Sequence, residues 1–303
     1  MFHHFHGGAH VPSQGSISAD EFARLLDFVS AGERLVGADE FHERAVSGTL
    51  GDDRVCITFD DSLLCQFEVA WPVMRDRGLT GFFFVHSGAF VGPPDLLEVY
   101  RHFRTTQFGG IDEFYDRFVE RARAAHAEVG PAIDRFDPST YLVDYSFYSD
   151  RDRLFRHLRD DVLGAERYDS VMAAMMAERG YRPESVRDLL YMREQHLVEL
   201  RDAGNHIGLH SHSHPLSMGT LAPERQREEY LDNMRFIESV LGERPRSMSH
   251  PMGRYSSHSL AALVDIGVQV GFRDNPGDAG GGTLLELPRE DHTSVMARMA
   301  RCD

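Results

Sequence analysis

Gly81-Phe-Phe-Phe-Val85 offers no polar side chain to turn toward water over five residues. Successive strand residues point to opposite faces, so such a run fits only a strand covered on both sides. Val55-Cys56-Ile57-Thr58-Phe59 and Ile207-Gly208-Leu209 read the same way. Residues 62–77 read as a helix that stops at Gly78, between the first two runs. Strand, helix, strand in that order predicts a parallel α/β unit. Cys56, inside its run, reads as a small core residue.

The same alternation extends along the chain. Residues 1–6 suit a short first strand. Ser18 and Glu21 form a capping-box signature, which predicts a helix over 21–30. Helices follow at 194–203, 223–241 and 257–266, the first two closed by Gly204 and Gly242. Strands are expected at 246–250 and 268–272, a glycine-rich loop at 275–283 and a final segment from 284. The pattern changes near Gly92-Pro93-Pro94, and from Asp95 to about Tyr191 it reads as helical. There Leu96, Leu97, Tyr100 and Phe103 share one helical face, as do Phe114, Phe118 and Val119. The organisation expected is an α/β barrel-like domain, 1–91 and 193–303, split by a helical insertion at 92–192. The insertion's aromatics read as core, and the insertion could cap the barrel mouth.

Composition narrows the partners. The chain has 303 residues, 42% hydrophobic and 26% charged, as an ordinary globular protein would have. A net charge of −16 disfavours nucleic acid or an anionic membrane as partner. Three cysteines make no disulfide framework. No apolar run reaches the ~18 residues of a membrane-spanning helix, and the start lacks a signal-peptide pattern, so the cytoplasm is the expected location.

Chemistry concentrates at two strand ends. Asp60-Asp61-Ser62 follows the 55–59 run, and His210-Ser211-His212-Ser213-His214-Pro215 follows the 207–209 run. Asp-Asp-Ser after a strand is also a common helix N-cap. Four histidines in nine residues, at 206, 210, 212 and 214, favour a metal site. His210 and His214, four apart, can reach one ion. One carboxylate with two imidazoles leaves an open position on a divalent cation, the pattern of a metal-assisted hydrolase.

Thr58-Phe59-Asp60-Asp61-Ser62 resembles the first motif of the polysaccharide deacetylases (the NodB-homology, carbohydrate esterase family 4 group), usually TFDDG. His210 to His214 resembles their second motif, H-[S/T]-x-x-H. The resemblance covers roughly 1–91 and 193–303. It implies a distorted, incomplete (β/α) barrel, TIM-like and of the seven-stranded type, with the site at the C-terminal ends of the strands. It further implies Asp60 as catalytic base and Asp61, His210 and His214 as metal ligands. Zn²⁺ suits that donor set, and Fe²⁺, Co²⁺ or Ni²⁺ could also occupy it.

The remaining roles are less fixed by the motifs. Ser249-His250-Pro251-Met252-Gly253 is similar to the family's R-x-P-x-G, which implies the Met252 backbone N–H as oxyanion donor. Ser249 stands where relatives carry the arginine that pairs with the base, so Arg289, or failing it Arg254, is expected to supply the charge. For the general acid, Phe2-His3-His4-Phe5 resembles a Y-H-x-[I/L] strand of one branch. His3 is therefore the first candidate and His292 the second; the alternative for residues 3–6 is a free tail.

The function expected is removal of an acyl group, acetyl above all, from an N-acylated amino sugar in surface polysaccharide biosynthesis. The substrate would be nucleotide-linked, lipid-linked or an oligosaccharide. An O-deacetylase, a hydrolase of a non-carbohydrate amide or imide, and a catalytically decayed sugar-binding protein are the alternatives. The sequence leaves the oligomeric state open.

Overall fold

The all-apolar runs lie side by side as parallel strands. In the computed structural model, which describes residues 1–143, 148–274 and 282–302, five strands form one sheet in chain order: β1 Ile57–Phe59, β2 Gly81–Val85, β3 His206–Leu209, β4 Ser247–Ser249 and β5 Val270–Phe272. Phe83 pairs with Phe59 on one side and Ile207 on the other. The alternation within β2 explains its composition. Phe83 and Val85 join a large core with Leu25, Leu197, Tyr230 and Ile237 from the surrounding helices. Phe82 and Phe84 face an inner core with Phe41, Val270 and Phe272. Phe82, Phe83 and Phe84 are fully buried, and each such burial contributes roughly 1.5–3 kcal/mol.

Single bridges extend the sheet at both edges. Phe2 pairs with Phe59, and Leu287 with Phe272. The Phe2, β1 to β5 and Leu287 lanes account for the expected seven. The His292 N–H then reaches the Met1 carbonyl at 3.2 Å, drawing the two edges together. The expected incomplete (β/α) barrel is thus borne out, and a helix that the sequence reading missed, Ala38–Ser47, supplies Phe41 to its interior. The close inner packing also explains Gly208: a Cβ there would stand 2.5 Å from the Phe84 ring.

Local signals set most helix ends. Ser18 Oγ accepts from the Glu21 N–H and Glu21 returns a bond to the Ser18 N–H, starting helix Ala19–Gly32; such a cap contributes about 1 kcal/mol. Helix Pro223–Leu241 begins with proline and ends before Gly242 at φ 75°, as its sequence predicts. Two expectations fail for backbone reasons. The helix expected from residue 62 starts later, as a π turn Gln66–Ala70 leading into Trp71–Asp76, because Asp61 and Ser62 take φ values of 78° and 62° that no right-handed helix accommodates. The 55–59 run also divides: Arg54–Val55 pairs with Arg34–Leu35, and Ile57–Phe59 with β2. Cys56, half-buried at the switch, belongs to neither.

The chain forms two compact units, Met1–Asp95 with Arg187–Asp303, and Leu96–Val186. Residues 92–95 and 187–192, which the sequence reading assigned to the insertion, lie in the first. The second unit is helical, its longest helices being Ile111–Ala125 and Gly164–Glu178. Phe103, Phe114, Phe118 and Phe155 are buried in its core, with the Phe118 and Phe155 rings 4.9 Å apart. Leu96 and Leu97, expected on the inward face, are 43% and 40% exposed. They occupy the first turn of helix Leu96–Thr106, whose buried face is Glu98, Val99, Tyr100 and Phe103. Of the expected glycine-rich loop, residues 275–281 lie outside the described part of the chain.

Candidate metal centre

The two motifs, distant in sequence, meet because β1, β2 and β3 are neighbours. Asp60 and Asp61 follow β1, and His210 follows β3. Asp61 turns into a left-handed conformation, which is how adjacent acids of one strand come to serve one site. His210 Nε2 lies 3.2 Å and His214 Nε2 3.4 Å from Asp61 Oδ1. The three donor atoms are within 4.8 Å of one another. Donors on one ion at ~2.0–2.2 Å stand a little over 3 Å apart, so one carboxylate and two imidazoles fit a divalent cation.

Each imidazole is oriented from behind. His210 Nδ1 is 2.9 Å from the Ser249 carbonyl, which fixes the tautomer that leaves Nε2 free to coordinate. His214 Nδ1 is 3.1 Å from Asp95 Oδ2. Burial alone would lower the His214 pKa, but the hydrogen bond to Asp95 and the charge of Asp61 override it and raise the pKa to about 9. Asp61 is held well below the usual carboxylate range; burial opposes this, but the hydrogen bond from His210 and the charges of His214 and His3 prevail.

The loop from 211 to 214 has φ 67° at Ser211 and 51° at His214 and is held on three sides. Glu229, buried in helix Pro223–Leu241, accepts from the His212 and Ser213 N–H groups and from Ser213 Oγ. Asn233 Oδ1 accepts from the His210 N–H at 2.9 Å. The Gly88 N–H donates to the His212 carbonyl at 2.7 Å. A methyl at position 88 would stand 2.8 Å from that same oxygen. Gly88→Ala should therefore displace the loop, lowering metal affinity at least tenfold while the urea midpoint falls only modestly, by about 1–3 kcal/mol of overpacking. Metal titration beside urea denaturation checks this.

Asp60 stands beside the cluster in a second network. Arg289 clasps it with two bonds, 2.8 Å to Oδ1 and 2.7 Å to Oδ2. Ser249 Oγ donates to Oδ2 at 3.1 Å and accepts from Arg289 at 2.8 Å. Burial would raise the Asp60 pKa, but the Arg289 charge, with His210 and His3, holds it far below the usual carboxylate range. Ser249 is short enough to leave room, and Arg289 arrives from the far edge of the sheet, with its Nε on the Arg273 carbonyl at 2.8 Å. Arg254, the other arginine considered, is exposed and does not pair with Asp60.

The remaining candidates separate. His3 Nε2 lies 3.9 Å from both Asp60 Oδ2 and Asp61 Oδ2, and its backbone carbonyl is pinned by Gln66 at 2.9 Å, so it is no free tail. His292 is not brought to the cluster. Its Nε2 bonds to the Gly15 carbonyl at 3.0 Å and its ring stacks on Phe2; the helix Asp291 caps turns it that way. Met252 has φ 54° and a largely exposed side chain, so what it can offer is its backbone. A cavity of about 600 Å³ includes Thr58 and Arg289 in its wall but none of Asp60, Asp61, His210 or His214. The sequence reading missed Asp95, His86, Glu229 and Asn233. Only the i, i+4 spacing of Glu229 and Asn233 on a predicted helix hinted at a shared face.

The parallel half-barrel carries a carboxylate–imidazole cluster at the C-terminal ends of its strands, a donor set that could hold a metal ion. Residues 171–271 of the chain match the family model described as polysaccharide deacetylase. A Bacillus subtilis (strain 168) protein, YxkH, described as a polysaccharide deacetylase, is 28% identical over 89 residues, which is 29% of this chain and 32% of that protein. The chain thus spans about a third of the length of the curated relative it matches. In fold it is similar to Streptococcus pyogenes deacetylase PplD (TM-score 0.54, 16% identity, 99% of this chain and 96% of that one). It is also similar to IcaB from Ammonifex degensii (TM-score 0.55, 18% identity, 99% and 93%). Over residues 171–271 the chain is thus similar to the polysaccharide deacetylases.

Proposed function

We propose that this protein is a metal-dependent hydrolase that removes an acyl group, acetyl in the first instance, from an N-acylated amino sugar in surface polysaccharide biosynthesis. The observation that carries the reading is the convergence of Asp61, His210 and His214 beside an Asp60 kept ionised by Arg289. The description of the matching family and of YxkH supports the choice of a sugar substrate.

Asp61, His210 and His214 would hold the cation, Zn²⁺ or another borderline divalent ion. A cation there would polarise the acyl carbonyl and acidify the attacking water, which a base as weak as Asp60 requires. Asp60 takes a proton from that water. Arg289 and Ser249 fix the direction of its carboxylate. His3, close to both acids, is placed to hand a proton to the leaving nitrogen as the C–N bond breaks. The Met252 N–H is the donor assigned to the developing oxyanion.

Purified protein given Zn²⁺ should release acetate from N-acetylglucosamine oligomers, lose that activity to a chelator, and regain it with Zn²⁺ or Co²⁺. Release from small cyclic amides but not from the sugars would overturn the substrate assignment. Absence of release from either would overturn the reading.

Asp95→Asn tests the support of His214. Loss of such a partner costs about 10–100-fold in metal affinity. In the wild type, a proton held on His214 up to about pH 9 competes with the metal. The variant lacks the Asp95 charge that, with Asp61, holds this proton. Wild-type affinity should therefore climb more steeply between pH 6 and pH 8, and the gap between the two proteins should widen as pH rises. Calorimetric titration at several pH values checks it.

A further inference from the structure

The backbone ladder between Phe2 and β1 is finished by a side chain. The Phe2 N–H donates to the Thr58 carbonyl at 2.9 Å, and the Asp60 N–H to the Phe2 carbonyl at 3.2 Å. Asp61 and Ser62 then turn left-handed and the strand is over. The two carbonyls that come next, of Asp60 on one side and His3 on the other, both take Nε2 of Gln66, the second at 2.9 Å. Both partners are acceptors only, so the amide nitrogen must face them, and its two hydrogens serve one each. Gln66 is 1% exposed. Its carboxamide thus stands in for a rung of pairing at the strand end that carries the acids.

What this rung holds is residue 3. The His3 side chain is 30% exposed, and its Nε2 lies 3.9 Å from each carboxylate, beyond hydrogen-bond length. The acids therefore do not fix the ring, and its place follows from its backbone. Cys65 Sγ faces the same His3 carbonyl, but only at 3.9 Å. Asp60 depends less on Gln66, because Arg289 and Ser249 orient its carboxylate. Gln66 also opens the π turn Gln66–Ala70, in which the Trp71 N–H reaches back to the Gln66 carbonyl. Such turns are frequent at functional sites.

We infer that Gln66 is a positioning residue, whose carboxamide locks the His3 segment to the Asp60 strand end and so sets the reach of the His3 ring toward the leaving nitrogen of the substrate. This rests on the proposed hydrolase reading, in which His3 hands a proton to that nitrogen. Without the amide, two carbonyls lose a donor and the His3 segment loosens. The metal donors of Asp61, His210 and His214 do not include Gln66 and stay together. A shift of about 1 Å in a reacting group costs ~10²-fold in rate.

The experiment compares two probes on the zinc-loaded protein: an N-acetylglucosamine tetramer, and 4-nitrophenyl acetate, whose phenolate leaves without a proton. Gln66→Met, similar in length but without donors, should lose about tenfold to a hundredfold in kcat on the tetramer, with KM little changed. It should keep most of its rate on the aryl ester and bind zinc with wild-type affinity. Placed on His3→Ala, the same change should cost nothing further on the tetramer, because the two residues act as one unit. Hydrogen exchange should quicken at the Phe2 and Phe5 amides and not at Phe83 of β2, the mark of a local opening. Gln66→Asn keeps the amide but is one methylene too short for both carbonyls, and serves if the methionine variant does not fold. An equal fall on both probes, losses that add to those of His3→Ala, or exchange unchanged at Phe2 and Phe5 would overturn the inference. Unchanged kinetics on the tetramer would do the same. Failure of the wild type on both probes would overturn the parent reading, and the inference with it.

Discussion

His210→Ala should fold, fail to retain a divalent cation, and release no measurable acetate from an N-acetylated sugar. The ring is buried and its backbone is held independently by Asn233 and Val85, so deleting the imidazole removes a donor without releasing the strand end. On the proposed function, a cation held there would contribute several kcal/mol to catalysis, which is about a thousandfold or more in rate. Metal content by mass spectrometry and an unchanged far-ultraviolet spectrum would separate this from misfolding. Undiminished release with full metal content would remove His210 from the site.

Arg289→Ala should strongly destabilise the first unit. Both Asp60 and Arg289 are nearly inaccessible, each side chain 4% exposed. Removing one partner of such a pair costs about 3–5 kcal/mol, because the other charge stays buried and uncompensated. The pH dependence has a definite sign. In the wild type the Asp60 pKa is depressed on folding. Its contribution is therefore fully present above the unfolded carboxylate value near ~3.9 and is lost as pH falls below it. In the variant, burial dominates and raises the pKa, so neutral pH is where the cost is greatest and acid relieves it. The difference in urea midpoint between the two proteins should thus shrink steadily on acidification. A difference independent of pH would mean that Arg289 acts through packing alone. Activity should fall as well, since a protonated Asp60 takes no proton; Arg289→Lys should recover little of it, lacking the two-pronged fork.

What the sequence carried was what local chemistry writes. Gly81 to Val85 could only be a strand buried on both faces, and Pro223 and Gly242 mark the ends of their helix to the residue. Strand ends bearing Asp60-Asp61 and His210 pointed to one site because parallel neighbours align their C-terminal ends. Illegible features depended on approach through space. Nothing around Asp95, which follows two prolines, says that its carboxylate meets His214. His86 reads as the polar stop of a strand until its ring is seen against His214. His292 has the late position expected of an acid, but the helix capped by Asp291 directs it to Gly15. Helix 62–77 was misplaced because the left-handed turn at Asp61 and Ser62 serves the site at the expense of helical continuity.

Arg289 meets Asp60 across 229 positions of sequence, and this bears on biogenesis. During synthesis the early acid emerges long before its counter-ion. Until the ribosome has released position 289, the first strand end carries a charge that cannot be buried at an acceptable cost, so the barrel's final closure waits until that residue has emerged. A nascent chain stopped short of position 289 would keep an open seam between the two edges of the sheet, with Asp60 lacking its counter-ion.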